Sequence, residues 1–324
     1  MSTEADNAAK GIAFILLGMV AITINDVLIK FLSGGYPLHQ LVFIRSGVGL
    51  VFILALVRLE GGWHMLRVDR PALHILRGVL VVVANMTYFA ALAVLPLAEA
   101  VALFFVAPLF ITLLSIPLLR ERVGPWRLGA VAVGFVGVLV MQRPWAGDLN
   151  VPRLVLLLPV VAAFTYALMQ ILTRRLGVTA KASVLAVWIQ SVFLVVSALF
   201  GLVAGDGRFA EGAENDSLIF LFRAWIWPAQ ADWGLLALLG ANSAVIGYSL
   251  SSAYRSADAG TIAPFEYVAL PLAILAGWLV FAELPGPTVW LGTALIGGAG
   301  LVVFLRERQR GRAPVTRAGP RRRY

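Results

Sequence analysis

The sequence predicts an all-α integral membrane protein with ten transmembrane helices in two inverted five-helix repeats. Three observations predict it. Apolar runs of spanning length recur ten times with short connections, basic residues alternate between the two sides, and the second half echoes the first. Of 324 residues, 60% are hydrophobic and only 13% charged. Soluble domains carry roughly a quarter charged residues, so a water-soluble chain of this composition would lack the polar surface to cover itself. The mean hydropathy is +0.89. There is no cysteine, which excludes disulfides, thiolate nucleophiles and cysteine metal sites. The three histidines, His39, His64 and His74, fall near predicted loops or helix starts. No metal or organic cofactor is expected.

The spans follow in order. A helical crossing needs roughly 20 apolar residues. Suitable runs lie at about 11–32, 38–58, 72–94, 96–119 and 126–143, then 153–174, 183–204, 233–254, 259–282 and 287–305. The first run continues through Asn25-Asp26 to Leu32, too long for a signal-peptide core and without an early small-residue cleavage site; it reads as a retained span. The turn at Leu95-Pro96 is tight and makes spans three and four antiparallel neighbours. Segment 1–10 is a short polar lead, 11–143 and 153–305 are the two five-helix units, and 306–324 is a basic tail.

Orientation follows from lysine and arginine, which accumulate in cytoplasmic loops. With the N-terminus cytoplasmic, most of the 26 basic residues fall inside, including Arg58, Arg67, Arg70, Arg77, Arg120, Arg122, Arg127, Lys181 and the arginines beyond 305. The opposite loop, 205–232, is acidic, with Asp206, Glu211, Glu214, Asp216 and Asp232. Ten spans then leave both termini cytoplasmic. The formal charge of +9 is accordingly a topology signal, with the tail facing anionic lipid rather than nucleic acid. The loop also carries Phe220, Phe222, Trp225 and Trp227, which favours an interfacial segment over a lid.

Ala100 to Leu109 aligns with Ala263 to Leu272, matching Pro108 to Pro271, and Glu121 with Glu283 after a one-residue gap. Phe43-Ile44-Arg45-Ser46 aligns with Trp188-Ile189-Gln190-Ser191. Five spans per copy is odd, so the second copy enters the membrane from the opposite face. Inverted repeats of this kind build secondary transporters, with a site near mid-membrane between the halves.

These fragments together resemble the drug/metabolite transporter superfamily, in its EamA-type ten-helix branch, and are similar to its aromatic and amino-acid exporters. The residues that carry the resemblance are Asn25-Asp26 with Lys30, Pro37 with Phe43 and Arg45, and Ala100 to Pro108 followed by Glu121. In the second half they are Ala263-Pro264 with Tyr267 and Pro271, then Phe281-Ala282-Glu283 with Pro285, Trp290 and Gly292. The resemblance implies two inward-facing baskets of helices with spans five and ten at the periphery. It also implies a bacterial-type inner membrane location and no enzymatic activity.

Ionisable residues within spans are costly and mark functional sites by default. Asp26 either pairs with Lys30 one turn later or takes up a proton or substrate amine, with Asn25 beside it. Arg45, in the middle or cytosolic half of span two, offers a fork for a carboxylate or phosphate; its repeat mate is the neutral Gln190. Glu266 sits inside span nine next to Tyr267. The neutral candidates for substrate contact are Asn85, Tyr88, Tyr166, Gln170, Trp188, Gln190, Asn242 and Tyr248, each equally suited to interhelical hydrogen bonding. Pro108 and Pro271 are candidate hinges, and Gly129, Gly134, Gly137, Gly292, Gly297 and Gly300 candidate close-packing points.

The expectation is a secondary transporter of a small amphipathic metabolite, amino acids first, running in the export direction by alternating access. Proton coupling through Asp26 or Glu266 and uniport are both open, as are a monomer and a homodimer. The alternative is an uptake carrier for a vitamin or nucleotide-like cofactor, and outside transport a membrane scaffold or receptor. No Asp-rich pair or Ser/His cluster supports an intramembrane enzyme, and no Gly-rich ATP loop supports a pump.

Overall fold

The computed structural model describes residues 2–68, 70–120, 123–143, 145, 152–176, 182–256 and 265–309. The expected residues Glu121, Arg122, Lys181, Ala263-Pro264 and the tail beyond 309 lie outside them. The described residues form helices α1 (Ser2–Leu32), α2 (Leu38–Glu60), α3 (Pro71–Leu92), α4 (Leu97–Phe104), α5 (Ala107–Leu119) and α6 (Pro125–Gln142). In the second half follow α7 (Arg153–Leu176), α8 (Ala182–Ala204), the short α9 (Asp216–Phe222), α10 (Trp233–Ser256), α11 (Ala269–Phe281) and α12 (Pro287–Gln309). Seven helical stretches are long and apolar enough to cross a membrane, and three shorter apolar helices, Leu128–Gln142, Ala269–Phe281 and Pro287–Val302, take the remaining expected places. Large apolar side chains such as Leu202 (84% exposed), Val51 and Trp278 point out of the bundle, as lipid rather than water requires.

The helix contacts are reciprocal between halves. Helix α1 packs on α10 as α7 packs on α3, α2 on α10 as α8 on α3, and α1 on α11 as α7 on α5. Among the described residues mates also meet directly, α2 with α8, α6 with α12, and span four with span nine through α4 and α11. This is the pattern of a pseudo-two-fold axis between inverted copies. At the α6–α12 crossing the backbones nearly touch. A Cβ on Gly137 would lie 2.9 Å from the Gly292 carbonyl, and one on Gly292 would lie 2.9 Å from the Gly137 carbonyl. Gly129, by contrast, faces open space and plays no such part.

Spans four and nine are both interrupted. A turn at Phe105-Val106 separates α4 from α5, and one at Tyr267-Val268 precedes α11. The cause is proline chemistry. Pro108 and Pro271 have no N–H to offer the carbonyls of Phe104 and Tyr267 four residues earlier. The chain tightens instead into three-residue turns, Leu109 N–H to Val106 O at 3.0 Å and Leu270 N–H to Tyr267 O at 3.1 Å. The matching helices α5 and α11 are each 13 residues long. Both end on a non-glycine residue in the left-handed region, Arg120 (φ 56) and Ala282 (φ 54), directly before the aligned glutamates.

Candidate functional site

Asn25 and Asp26 lie on α1, Arg45 on α2, and Asn85 and Tyr88 on α3; the fold brings all five together. Arg45 is 6% exposed. Its Nη1 donates to Asn25 Oδ1 at 3.3 Å and its Nη2 to Asn85 Oδ1 at 3.5 Å. Asn25 Nδ2 donates in turn to Asp26 Oδ1 at 3.2 Å, and the Tyr88 hydroxyl donates to Asp26 Oδ2 at 2.9 Å. The Asn25 amide therefore bridges the guanidinium and the carboxylate, which share their charge through its dipole. The guanidinium lies between the rings of Phe89 (5.6 Å) and Phe193 (5.2 Å), a cation–π arrangement that offsets part of the cost of burying it. Arg45 Nε is buried with no hydrogen-bond partner among the described residues.

One expectation is decided here. Asp26 does not take Lys30 as its partner. Lys30 Nζ pairs with Glu283 Oε1 at 2.9 Å and donates to the Leu95 carbonyl. Its long side chain reaches towards the near end of the bundle, where a cation is less costly, and leaves Asp26 to neutral donors deeper in. Helix α2 starts at Leu38, so Arg45 sits two turns, about 10 Å, from the α1–α2 end.

From Tyr88 an aromatic series leads between the halves. Tyr88 meets Phe104 edge-on at 5.4 Å, and Phe104 meets Tyr166 at 5.6 Å. Gln170 Nε2 donates to the Tyr166 hydroxyl at 2.8 Å. The next residue, Phe105, points another way and meets Tyr267 at 5.3 Å. Glu266 lies within electrostatic range of both Tyr166 and Tyr267.

The second half answers the charged cluster with a neutral one. Gln190 Nε2 donates to Ser243 Oγ at 3.2 Å, and Ser243 Oγ donates to the Gly240 carbonyl at 2.7 Å. Both abut α2 at Gly49, where a Cβ would collide with Ser243 Oγ. Trp188 and Tyr248 join neither cluster. Trp188 packs against His74 (5.6 Å) and Tyr248 edge-on against Phe14 (5.9 Å). Phe89, Phe104, Phe193 and Ser243 are participants that sequence reasoning missed. Phe89 and Phe193 each lie within three positions of a polar candidate, a weak signal among 18 phenylalanines.

The loop 205–232 is more than an interfacial segment. Trp227 is 85% exposed, as an interfacial anchor would be, yet the loop is tied to the α1–α2 turn. Gln40 Nε2 donates to the Ile226 carbonyl (2.6 Å), and the Ile226 N–H donates to Gln40 Oε1 (3.2 Å). Tyr36 donates to Asp232 Oδ2 and accepts from the Ala229 N–H. That bond to Asp232 holds the Tyr36 phenol above its ordinary range, so it remains a donor.

A helical bundle of inverted halves, with a buried, mutually neutralised polar cluster in the first half packed against Phe193 of the second, has the build of a membrane carrier. Residues 9–143 match the EamA-like transporter family. The chain is 30% identical over 316 residues to the riboflavin transporter of Rhizobium johnstonii, covering 97% of both. It is 32% identical to the riboflavin transporter of Vibrio cholerae, covering 88% of this chain and 87% of that one. It is 28% identical to the S-adenosylmethionine uptake transporter of Rickettsia prowazekii, covering 92% and 94%. A crystal structure 22% identical in sequence superposes with a TM-score of 0.62 over 92% of this chain and 99% of the other. The protein belongs to the EamA-like transporter family, and it is a multi-pass membrane transporter.

Proposed function

We propose that this transporter takes up riboflavin or a closely related planar heterocyclic cofactor. This reading replaces the export of amino acids expected first. The relatives are named for riboflavin and S-adenosylmethionine, which favours the vitamin or cofactor alternative. The observation that carries it is the pairing of amide, guanidinium and carboxylate with an aromatic series. A zwitterionic amino acid calls for a cation and an anion each open to a counter-charge. Here Arg45 and Asp26 are bridged by Asn25. A flat ring with an imide edge calls instead for in-plane donors and acceptors beside aromatic faces. Asn25, Asn85 and Arg45 Nε supply the first, and Phe89, Tyr88, Phe104 and Tyr166 the second.

A second reading, uptake of a sulfonium nucleoside such as S-adenosylmethionine, is favoured by Glu266 beside Tyr166 and Tyr267, since a carboxylate and aromatic faces attract a cation. Pro108 and Pro271 serve in either reading as hinges for rocking one half against the other. Both termini are assigned to the cytoplasm and the chain to a bacterial-type inner membrane. Transport itself needs no bond-making chemistry. The test is uptake of radiolabelled riboflavin and S-adenosylmethionine into proteoliposomes, with an amino-acid mixture as the third arm. Saturable uptake of riboflavin, competed by unlabelled riboflavin, is expected. Saturable uptake in either other arm with none in the first refutes the flavin assignment. Uptake unchanged by an imposed pH gradient would exclude proton coupling through Asp26 or Glu266.

A further inference from the structure

Lys30 and Glu283 take no part in the buried cluster, yet they join the two halves at one end of the bundle. Lys30 lies in the last turn of α1 and Glu283 two residues beyond α11. Their ion pair measures 2.9 Å, with side chains 10% and 28% exposed. Each also grips the α3–α4 turn. Lys30 donates to the Leu95 carbonyl, and Glu283 Oε2 accepts from the Leu97 N–H at 3.1 Å. Leu97 is the first residue of α4, so the carboxylate also meets the positive end of a helix. Lys30 Nζ lies 5.2 Å from the Phe281 ring centroid. Three segments are thus clasped by two side chains.

The backbone is arranged to aim Glu283 there. Ala282 adopts the left-handed conformation that non-glycine residues avoid. That reversal lets the Glu283 N–H bond back to the Gly277 carbonyl at 3.0 Å, a helix-ending motif that carries the carboxylate across the helix end towards Lys30. The cluster of Asp26 and Arg45 lies one to two turns below. In an alternating-access carrier, contacts between halves at each end must break in turn. A partly exposed ion pair suits that task, because water and ions can replace it, whereas the Gly137–Gly292 backbone contact cannot exchange in this way.

We propose that Lys30 and Glu283 form a latch that closes the α1–α2 end of the bundle, and that releasing it opens a path from that end to the buried cluster. The proposal rests on the carrier class alone and not on the identity of the substrate. The absence of cysteine from the sequence supplies the assay. Ala273, buried in α11, lies eight residues before the helix end at Phe281, about 12 Å deeper. In an otherwise cysteine-free Ala273→Cys protein, labelling by a membrane-impermeant maleimide is followed in vesicles of both orientations, with no substrate added. Labelling from the Lys30 end is expected to be slow, and to accelerate about tenfold in Lys30→Met and in Glu283→Gln, a population shift of one decade. Lys30→Arg should keep it slow. In the parent protein the rate from that end should rise with ionic strength, and Lys30→Met should abolish the salt dependence. Rates unchanged in both single variants, equal acceleration from both faces, or salt dependence that survives Lys30→Met would each overturn the latch. A failure of riboflavin uptake would leave these outcomes untouched.

Discussion

The two halves share a backbone plan and differ in chemistry. Helices α5 and α11 match in length and in their left-handed ends, and the glycines of α6 and α12 press on each other's carbonyls. Yet Arg45 in the first half carries a buried charge where Gln190 in the second carries an amide. Asp26 is held by Tyr88 and Asn25, while the neutral hydrogen bond from Gln170 to Tyr166 stands in the other half. The scaffold is symmetric because two conformations of near-equal energy require it. The binding chemistry is asymmetric because a substrate has no two-fold axis.

The sharpest way to break this comparison is to neutralise the charged half. Arg45→Ala leaves the Asp26 carboxylate buried without its amide-relayed cation, and should destabilise the protein by about 3–5 kcal/mol. Uptake should fall to background. Thermal unfolding in detergent and proteoliposome uptake measure the two effects. Pairing Arg45→Met with Asp26→Leu should recover most of the stability and none of the transport, because the buried charges are then removed together. If the pair transports normally, the cluster is structural and not a binding site.

Next in size are the symmetric contacts. Gly137→Val and Gly292→Val each drive a side chain into the other's carbonyl, and each should cost about 1–3 kcal/mol by overpacking. Gly292→Val should cost the more, since its Cβ would also collide with Met141 Cγ, whereas that of Gly137 meets nothing nearer than 2.9 Å. The larger loss in Gly137→Val, read from melting temperatures, would mean that Met141 gives way and the backbone contact sets the cost.

Gln190→Leu tests the neutral half. Losing its bond to Ser243 should cost about 0.6–2 kcal/mol, well below the charged half, and should leave the substrate Km within a few-fold of the parent. A collapse of transport as deep as that from Arg45→Ala would make the halves chemically equivalent after all. The smallest effect is expected where both halves carry the same strain. Ala282→Gly and Arg120→Gly relieve a left-handed non-glycine residue and should each stabilise by about 1 kcal/mol. A loss of stability in either would show that the Cβ, not the backbone angle, matters there.

Much of this molecule was legible in its chain. Most described helix edges lie within a few residues of the expected spans, because lipid demands a fixed length of unbroken apolar helix; α1, which begins at Ser2 and not near 11, and α11, which begins at Ala269 and not near 259, depart from them. The breaks in spans four and nine were legible through Pro108 and Pro271. The short helix α9 and its neighbours were not, because a tie such as Tyr36 to Asp232 joins residues on loops far apart in sequence. The partner of Lys30 was not legible for a related reason. Asp26 one turn earlier is a neighbour that any helix would offer, whereas Glu283 belongs to the other half.

The sequence by itself determined the solvent of this protein, its spans and their repetition. It also set aside a short list of polar residues too costly to be idle. Hydropathy reports how deep a residue can sit, but not which way its helix is turned or which helix stands beside it. Only the tertiary structure decided that Asn25, Asp26, Arg45, Asn85 and Tyr88 converge while Trp188 and Tyr248 stay apart. The physical reason is that helix rotation is fixed by packing between the halves, at contacts such as Gly49 with Ser243 and Gly137 with Gly292, and each needs both copies present at once.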